Sequence, residues 1–268
     1  MKVLNKVFVV TGGGNGMGRE LVLNLLSKAT GVAAVDINES ALQETVALAG
    51  DKKDKLSTHV LNITNKESVE ALPEQVISRH GAVDGLINNA GIIQPFVKVK
   101  DLDYAAIERV MNINFYGTLY MTKAFLPHLL KRPEAHIANV SSMGGFLPVP
   151  GQTIYGASKA AVKLFTEGLC SELLNTKVRV TVIFPGAIGT NITANSGVTI
   201  NVTPEMSQRA AKTLAPSKAA QIILDGIERD QYRVFVGSDS KFMDFIYRLN
   251  PKRAAEFIFK QMQSLLSD

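Results

Sequence analysis

The sequence predicts an α/β protein, a single doubly wound domain with a seven-stranded parallel sheet and helices on both faces. Short apolar, β-branched runs alternate with longer helical patterns along the chain. A glycine cluster separates the first such run from the first helix. No Pro/Ser-rich linker, charge block or repeat divides the 268 residues, and a hydrophobic fraction of 46% is enough for one large core.

Strands are expected at Val7 to Val10, Val32 to Val35, Leu56 to Leu61, Gly85 to Asn88, His136 to Val140, Val178 to Ile183 and Val234 to Val236. In a sheet of this kind ligands lie beyond the carboxyl ends of the strands. The chemically suggestive motifs of this chain all fall at those ends or just beyond them.

Composition excludes several classes. The net charge of +5 comes from basic residues spread along the chain, without the dense cluster that would grip a phosphate backbone, which argues against nucleic acid as a partner. Cys170 is the single cysteine, so no intramolecular disulfide can form; it lies in an apolar helical stretch and reads as a small core residue. His59, His80, His128 and His136 lack metal-ligand spacing, and no catalytic metal is expected. The first residues run directly into Val7-Phe8-Val9-Val10, with no secretory signal pattern and no span of ~20 apolar residues, so a cytoplasmic location is expected.

After the first strand comes Thr11-Gly12-Gly13-Gly14-Asn15-Gly16-Met17-Gly18, opening a helix that ends near Lys28. Glycines there allow a tight turn and close approach to a pyrophosphate, whose charge the open N–H groups of a helix start would bind. Asp36, at the end of the second predicted strand, could accept hydrogen bonds from an adenosine ribose and would repel a 2'-phosphate. No Arg or Lys stands at Asn15 or Ile37 to offset it, so NAD is favoured over NADP. The glycine loop lacks the lysine of a nucleoside-triphosphate loop, which makes phosphoryl transfer a poor fit.

Farther on, Tyr155 and Lys159 stand four residues apart in a helical stretch, on one face and about one turn from each other. A free phenol titrates near ~10; to exchange a proton with an alcohol it needs a nearby positive charge and partial desolvation. Lys159 could supply the charge. Taken alone, such a pair is common on solvated helix faces.

Together these residues resemble the short-chain dehydrogenase/reductase family in its compact, Rossmann-type form, over roughly residues 3–237. The resemblance rests on six motifs in order: Thr11-Gly12-x-x-x-Gly16-x-Gly18, Asn88-Asn89-Ala90-Gly91, Asn114-Phe115-Tyr116-Gly117, Asn139-Val140-Ser141-Ser142, Tyr155-x-x-x-Lys159, and Pro185-Gly186 followed by Thr190. It implies hydride transfer between a nicotinamide and a carbinol carbon, with Asn114, Ser142, Tyr155 and Lys159 as the catalytic set. Tyr155 would handle the proton and Ser142, rather than Ser141, would hydrogen-bond the substrate oxygen. Lys159 would lower the Tyr155 pKa and hold the nicotinamide ribose. Asn114 would hold a water linking Lys159 to solvent; without the family context it reads as a buried helix-interior asparagine satisfying backbone groups. The cofactor would lie along Gly12, Asn15, Gly16, Met17, Gly18, Asp36, Asn62, Ile63, Asn89, Ala90 and Gly91, then Tyr155, Lys159, Pro185, Gly186, Ile188 and Thr190. Two departures stand out: Asn62 replaces the family's usual aspartate near adenine, and Gly14 is an extra glycine expected to loosen the loop slightly.

Substrate choice would come from residues 92–96, from 143–152, and from a mobile lid at 187–215 that contains the asparagine-rich run 191–202. Ile93, Phe96, Met143, Phe146, Leu147 and Val149 favour an apolar or partly apolar secondary alcohol or ketone, although they could equally pack against the lid. Arg209 and Lys212 could clamp an anion from the closed lid. Oxidation is the working direction. A 3-oxoacyl reductase using NADPH and a non-catalytic dinucleotide-sensing module are the alternatives.

Residues 1–240 are read as the catalytic domain and 241–268 as a helical extension. In the extension Phe242, Phe245, Ile246 and Leu249, then Phe257, Ile258, Met262 and Leu265, recur at helical spacing on either side of Pro251. Packing on the domain or on a partner subunit is preferred; Lys241, Arg248, Lys252, Arg253 and Lys260 keep a membrane-surface reading as the minor one. The family usually pairs through long helices, here from about Asp103 to Lys131 and Gln152 to Asn175, so a homodimer or homotetramer is expected.

Overall fold

The computed structural model describes residues 1–29, 31–198, 213–263 and 266. Its strands are β1 (Val7–Thr11), β2 (Gly31–Asp36), β3 (Leu56–Val60), β4 (Gly85–Asn88), β5 (Ala135–Val140), β6 (Val178–Pro185) and β7 (Arg233–Val236). All seven pair in parallel, in the order β3-β2-β1-β4-β5-β6-β7. Every expected strand is present, with ends shifted by at most two residues. The winding reverses between β1 and β4, which opens a crevice at their carboxyl ends.

The helices are α1 (Gly16–Leu26), α2 (Glu39–Ala49), α3 (Lys66–His80), α4 (Tyr104–Met111), α5 (Thr118–Leu129), α6 (Thr153–Glu172), α7 (Ile192–Asn195), α8 (Pro216–Glu228), α9 (Ser238–Leu249) and α10 (Pro251–Met262). Helices α1, α2 and α8 cover one face of the sheet, setting Leu21, Leu25, Leu42, Ile223 and Ile227 against Phe8, Val10 and Ile183. Helices α3, α5 and α6 cover the other, with Leu72, Val76, Met121, Phe125 and Leu169 against Val9, Leu86 and Ile137. The central strands β1 and β4 are buried along their whole length, as parallel strands sandwiched between helices must be. Cys170 is only partly buried, at the margin of the second core rather than inside it.

Side chains fix where the helices begin. Asn15, Asn38, Asn65 and Asp103 accept backbone N–H groups at the starts of α1, α2, α3 and α4, caps worth about 1 kcal/mol each. The long helix expected from Asp103 to Lys131 is broken by a π-helical turn at 112–117 between α4 and α5. Its extra residue per turn leaves Asn114 fully buried and bonded to the main chain of Ile92.

The C-terminal helices form a hairpin that starts at Ser238, slightly ahead of the boundary expected at 241. Asn250 ends α9 and caps α10 by accepting from the Arg253 amide at 3.0 Å, and Pro251 occupies the first turn of α10, where its missing N–H costs nothing. The inner face, with Met243, Ala254 and Ile258, packs on Leu147, Phe146 and Met143. Ser240 donates to the Phe184 carbonyl at 2.8 Å and Asp239 accepts from the Ala187 amide at 2.8 Å, tying the hairpin to the end of β6.

Candidate active site

A cleft of about 710 Å³ opens at the carboxyl ends of the strands. The end beside the glycine loop is shaped by backbone. Gly12 lies at φ +66 and Gly16 at φ +51, conformations that strain any other residue. A Cβ on Gly18 would stand 2.0 Å from the Gly12 carbonyl oxygen, so only glycine lets α1 start this close to β1. Helix geometry leaves the Met17 and Gly18 amides without intrahelical partners at the mouth of the cleft.

The Asp36 carboxylate accepts from the Gly14 amide at 3.0 Å and from the Asn38 amide at 3.0 Å. This overturns the expectation that Gly14 loosens the loop. Its amide is bound to Asp36 and its carbonyl accepts from the Arg19 guanidinium, at 2.9 Å from Nε. A Cβ at Gly14 would also meet Asp36 Oδ2 at 3.0 Å and Ala41 at 2.9 Å. Arg19 in turn is held by Glu44 at 2.6 Å, outside the cleft lining. Among the described residues lining the cleft the only cations are Arg109 and Lys159, and neither stands beside Asp36.

The Thr11 hydroxyl accepts from the amides of Asn89 and Ala90, each at 3.0 Å, and Asn89 donates back to the Thr11 carbonyl at 3.0 Å. Asn88 instead faces the sheet, donating to Asn139 at 2.8 Å and to Thr122 at 3.0 Å. Across the cleft, Thr190 lies against the glycine loop, 3.3 Å from where a Gly16 Cβ would be. All the residues expected to bind the cofactor line this one cleft: Gly12, Asn15, Gly16, Met17, Gly18, Asp36, Asn62, Ile63, Asn89, Ala90, Gly91, Tyr155, Lys159, Pro185, Gly186, Ile188 and Thr190. Of the lid, residues 199–212 lie outside the described residues, and with them Arg209 and Lys212.

Ser142, Tyr155 and Lys159 meet at the far end. Tyr155 and Ser142 both lie against Gly144; burial pushes the phenol pKa up, and Ser142 works against that shift. Lys159 is buried, donates to the Val140 carbonyl at 3.0 Å, and lies 6.0 Å from the Tyr155 ring centroid. Burial pushes its pKa down to about 8. In the free chain Ser142, not Lys159, is the group that works against burial, so the expected lowering of the Tyr155 pKa by Lys159 is not met here. Ser141 is fully engaged elsewhere, donating to the Lys159 carbonyl at 2.7 Å.

Asn114 does not line the cleft. Its Oδ1 accepts from the Ile92 amide and its Nδ2 donates to the Ile92 carbonyl and the Ser158 hydroxyl, all at 2.9 Å. That matches a buried asparagine satisfying backbone groups. It is nonetheless next to Lys159: a Cβ on Gly91 would be 2.9 Å from Lys159 Nζ and 3.2 Å from Asn114 Oδ1.

Two residues that no motif flagged also shape the site. Fully buried Gln94 accepts from the Ile154 and Tyr155 amides at 2.8 and 2.9 Å, capping the start of α6 just where Tyr155 leaves it. Arg109 lines the cleft and donates to the Ser196 carbonyl at 3.0 Å, while Ser196 Oγ accepts from the Ile93 amide at 3.0 Å. These bonds tie the first turn of the lid to α4 and to the loop after β4. The apolar residues expected around the substrate divide. Ile93 lines the cleft, whereas Met143, Phe146, Leu147 and Val149 pack against the C-terminal hairpin. Ile113, Ile188 and Ile192 supply apolar lining in their place.

Comparison with known proteins gives the same picture. The profile of the family described as short chain dehydrogenase matches residues 6–201. A Mycobacterium tuberculosis protein named as an oxidoreductase, SadH, is 37% identical over 250 residues, covering 91% of this chain and 90% of its own. The 3-oxoacyl-[acyl-carrier-protein] reductase FabG of Thermotoga maritima is 32% identical over 226 residues, covering 84% of this chain and 91% of its own. A Burkholderia cenocepacia short chain dehydrogenase solved in complex with NADP superposes with a TM-score of 0.80 at 27% identity, over 96% of this chain and 99% of its own. One from Burkholderia phymatum, in complex with NAD, reaches 0.83 at 24% identity, over 93% and 96%.

Proposed function

Since the chain belongs to the short-chain dehydrogenase/reductase family and is an NAD(P)-dependent oxidoreductase, we propose that it uses NAD to oxidise an apolar secondary alcohol, or to reduce the corresponding ketone. The observation that carries this reading is one cleft with Asp36 at its nucleotide end and Ser142, Tyr155 and Lys159 at the other.

The cleft fits a dinucleotide. Gly12, Gly18 and Gly91 let the loop, α1 and the end of β4 pack close along the cleft, where Cβ atoms would collide with Asn89, the Gly12 carbonyl and Lys159, and the Met17 and Gly18 amides offer charge to a pyrophosphate. Asp36 would accept from ribose hydroxyls and, with no cation beside it in the described lining, would repel a 2'-phosphate. Asn62, Ile63 and Ala90 would flank the adenine side, Asn89 the middle, and Pro185, Gly186, Ile188 and Thr190 the carboxamide. A bound nicotinamide supplies the hydride acceptor or donor.

The chain supplies the proton chemistry. Tyr155, as phenolate, takes the hydroxyl proton of the alcohol, and as phenol returns it to a ketone oxygen. Ser142 holds that oxygen and the phenol in one hydrogen-bonded group. Lys159 stabilises the phenolate and binds ribose hydroxyls. Asn114 fixes the Ile92 backbone next to Lys159 and lies on the proposed path of protons from Lys159 to solvent. Ile93, Ile113 and Ile192 keep water from the reacting carbon.

A steady-state comparison of NAD and NADP with a panel of secondary alcohols tests the assignment; turnover with NADP alone would sink the cofactor half of it. A 3-oxoacyl substrate is the second reading, favoured by the likeness to FabG. Association into a homodimer or homotetramer through α4, α5 and α6 is part of the proposal. Tyr104 and Leu164 on those helices are strongly exposed in the single chain.

A further inference from the structure

The C-terminal hairpin has two apolar faces, and the fold uses one. Met243, Ala254 and Ile258 point inward. On α9 the outward residues Phe242, Phe245 and Leu249 are 56%, 60% and 68% exposed. At 100° per residue these three fall within about 60° of one another, a continuous stripe opposite the inner face. Phe257 and Phe259 on α10 remain 47% and 48% exposed. Leaving five large side chains this open on one short unit has no folding benefit.

Charge says what would cover them. Lys241, Arg248, Lys252, Arg253 and Lys260 are all exposed on the same two helices. Two of the hairpin's three acids face inward: Asp239 accepts from the Ala187 amide, and Asp244 pairs with Arg233 and Arg248. Glu256 is the one left exposed. An aromatic stripe flanked by an excess of exposed cations, of which Arg248 alone is paired (with Asp244), matches a helix lying in the headgroup layer of an anionic membrane, with phenyl rings in the acyl boundary and ammonium groups on phosphates. Among the described residues no helix is long and apolar enough to cross a bilayer, so contact would be at the surface.

We propose that the α9–α10 hairpin is a docking face for an anionic lipid surface. Its position gives this a consequence. The inner face is built on Met143, Phe146, Leu147 and Val149, between Ser142 and Tyr155 in sequence, and Leu266 sits against Gly151 and Phe96. Docking therefore puts the bilayer one helix layer away from the segment between Ser142 and Tyr155, near where an apolar alcohol or ketone concentrates; that consequence, unlike the docking itself, rests on the substrate class proposed above.

The test is co-sedimentation of the full chain with phosphatidylcholine vesicles, with and without about one third phosphatidylserine. The expected result is binding to the serine-containing vesicles, reversed by high salt. Lys252→Glu/Arg253→Glu/Lys260→Glu should weaken it about a hundredfold, at roughly one kcal/mol per cation removed. Phe242→Ser/Phe245→Ser/Leu249→Ser should weaken binding at least as much, while NADH affinity and melting temperature stay near wild type. Equal sedimentation with both vesicle types, or charge-reversed protein that binds like wild type, overturns the proposal. So does absence of binding together with a loss of oligomer mass in the serine variant by light scattering, which would assign the stripe to a second copy of the chain. Vesicle binding is read without turnover, so an error in the substrate class leaves this outcome unaffected.

Discussion

The two ends of the cleft are built on different principles. At the nucleotide end the main chain makes the surface: glycines at φ +66 and +51, open helix amides, and an aspartate held by two amides at 3.0 Å each. At the substrate end side chains make it, and they come from the loop after β4, the π-helical turn, the start of the lid and α6. A backbone surface tolerates few residue types and so leaves a motif in the sequence. A side-chain surface tolerates many, and leaves almost none.

The largest effect that would break this contrast is at the chemical end. Tyr155→Phe should lower kcat by about two orders of magnitude or more, with NADH affinity preserved, by removing the proton acceptor alone. Turnover by stopped flow together with an NADH titration checks both halves. Lys159→Ala should instead damage turnover and affinity together, since the ammonium serves both.

A single methyl group should then test the backbone end. Gly18→Ala places a Cβ 2.0 Å from a main-chain oxygen that cannot step aside, and should cost about 1–3 kcal/mol and most of the cofactor affinity. Thermal melting with and without NADH reads both. A variant that melts and binds like wild type would show the glycine loop to be more pliant than described.

Two smaller effects sharpen the comparison by pH. Burial holds Lys159 near pKa 8 in the free protein, so its charge is present below that value and lost above it. NADH affinity should therefore fall as pH rises past about 8. Oxidation needs the phenolate, so its rate should rise with pH through the Tyr155 pKa. Burial raises that pKa and Ser142 offsets part of the rise; Ser142→Ala should move the rising limb of kcat/KM to higher pH, besides lowering kcat. A limb that stays in place would assign Ser142 to substrate binding only.

The smallest effect concerns position. Gln94→Leu removes a cap on α6 and should cost about 1 kcal/mol of stability, with a modest loss of kcat and no change in NADH affinity. A change in NADH affinity larger than the change in kcat would contradict a role limited to the start of α6.

The same contrast explains what could be read beforehand. All seven strands were legible because each is a short apolar run that must be covered on both faces. The residues proposed to bind the cofactor could be singled out, and found lining one cleft, because Gly12, Gly16, Gly18 and Asp36 occur in a fixed order of strand, turn and helix. Gln94 could not be, since it acts on an amide 60 residues away; the segment 92–96 around it was marked only for its apolar residues. Arg109 was hidden for the same reason, its partner Ser196 being 87 residues distant. The π-helical turn at 112–117 escaped because its residues have no distinct helical propensity; it shows only in the pairing of Asn114 with Ile92. Met143, Phe146, Leu147 and Val149 were read as contacting either the substrate or the lid, and the C-terminal hairpin they do meet went unforeseen, because apolarity does not say which apolar partner is met.

The central claim is that the nucleotide end selects NAD through Asp36 while the far end performs Tyr155 chemistry. The most direct measurement is a fluorescence titration of the purified protein with NADH and NADPH side by side, for wild type and Asp36→Ala. The account predicts that wild type binds NADH at least tenfold more tightly and that the substitution closes most of that gap; equal or tighter binding of NADPH by wild type would contradict it.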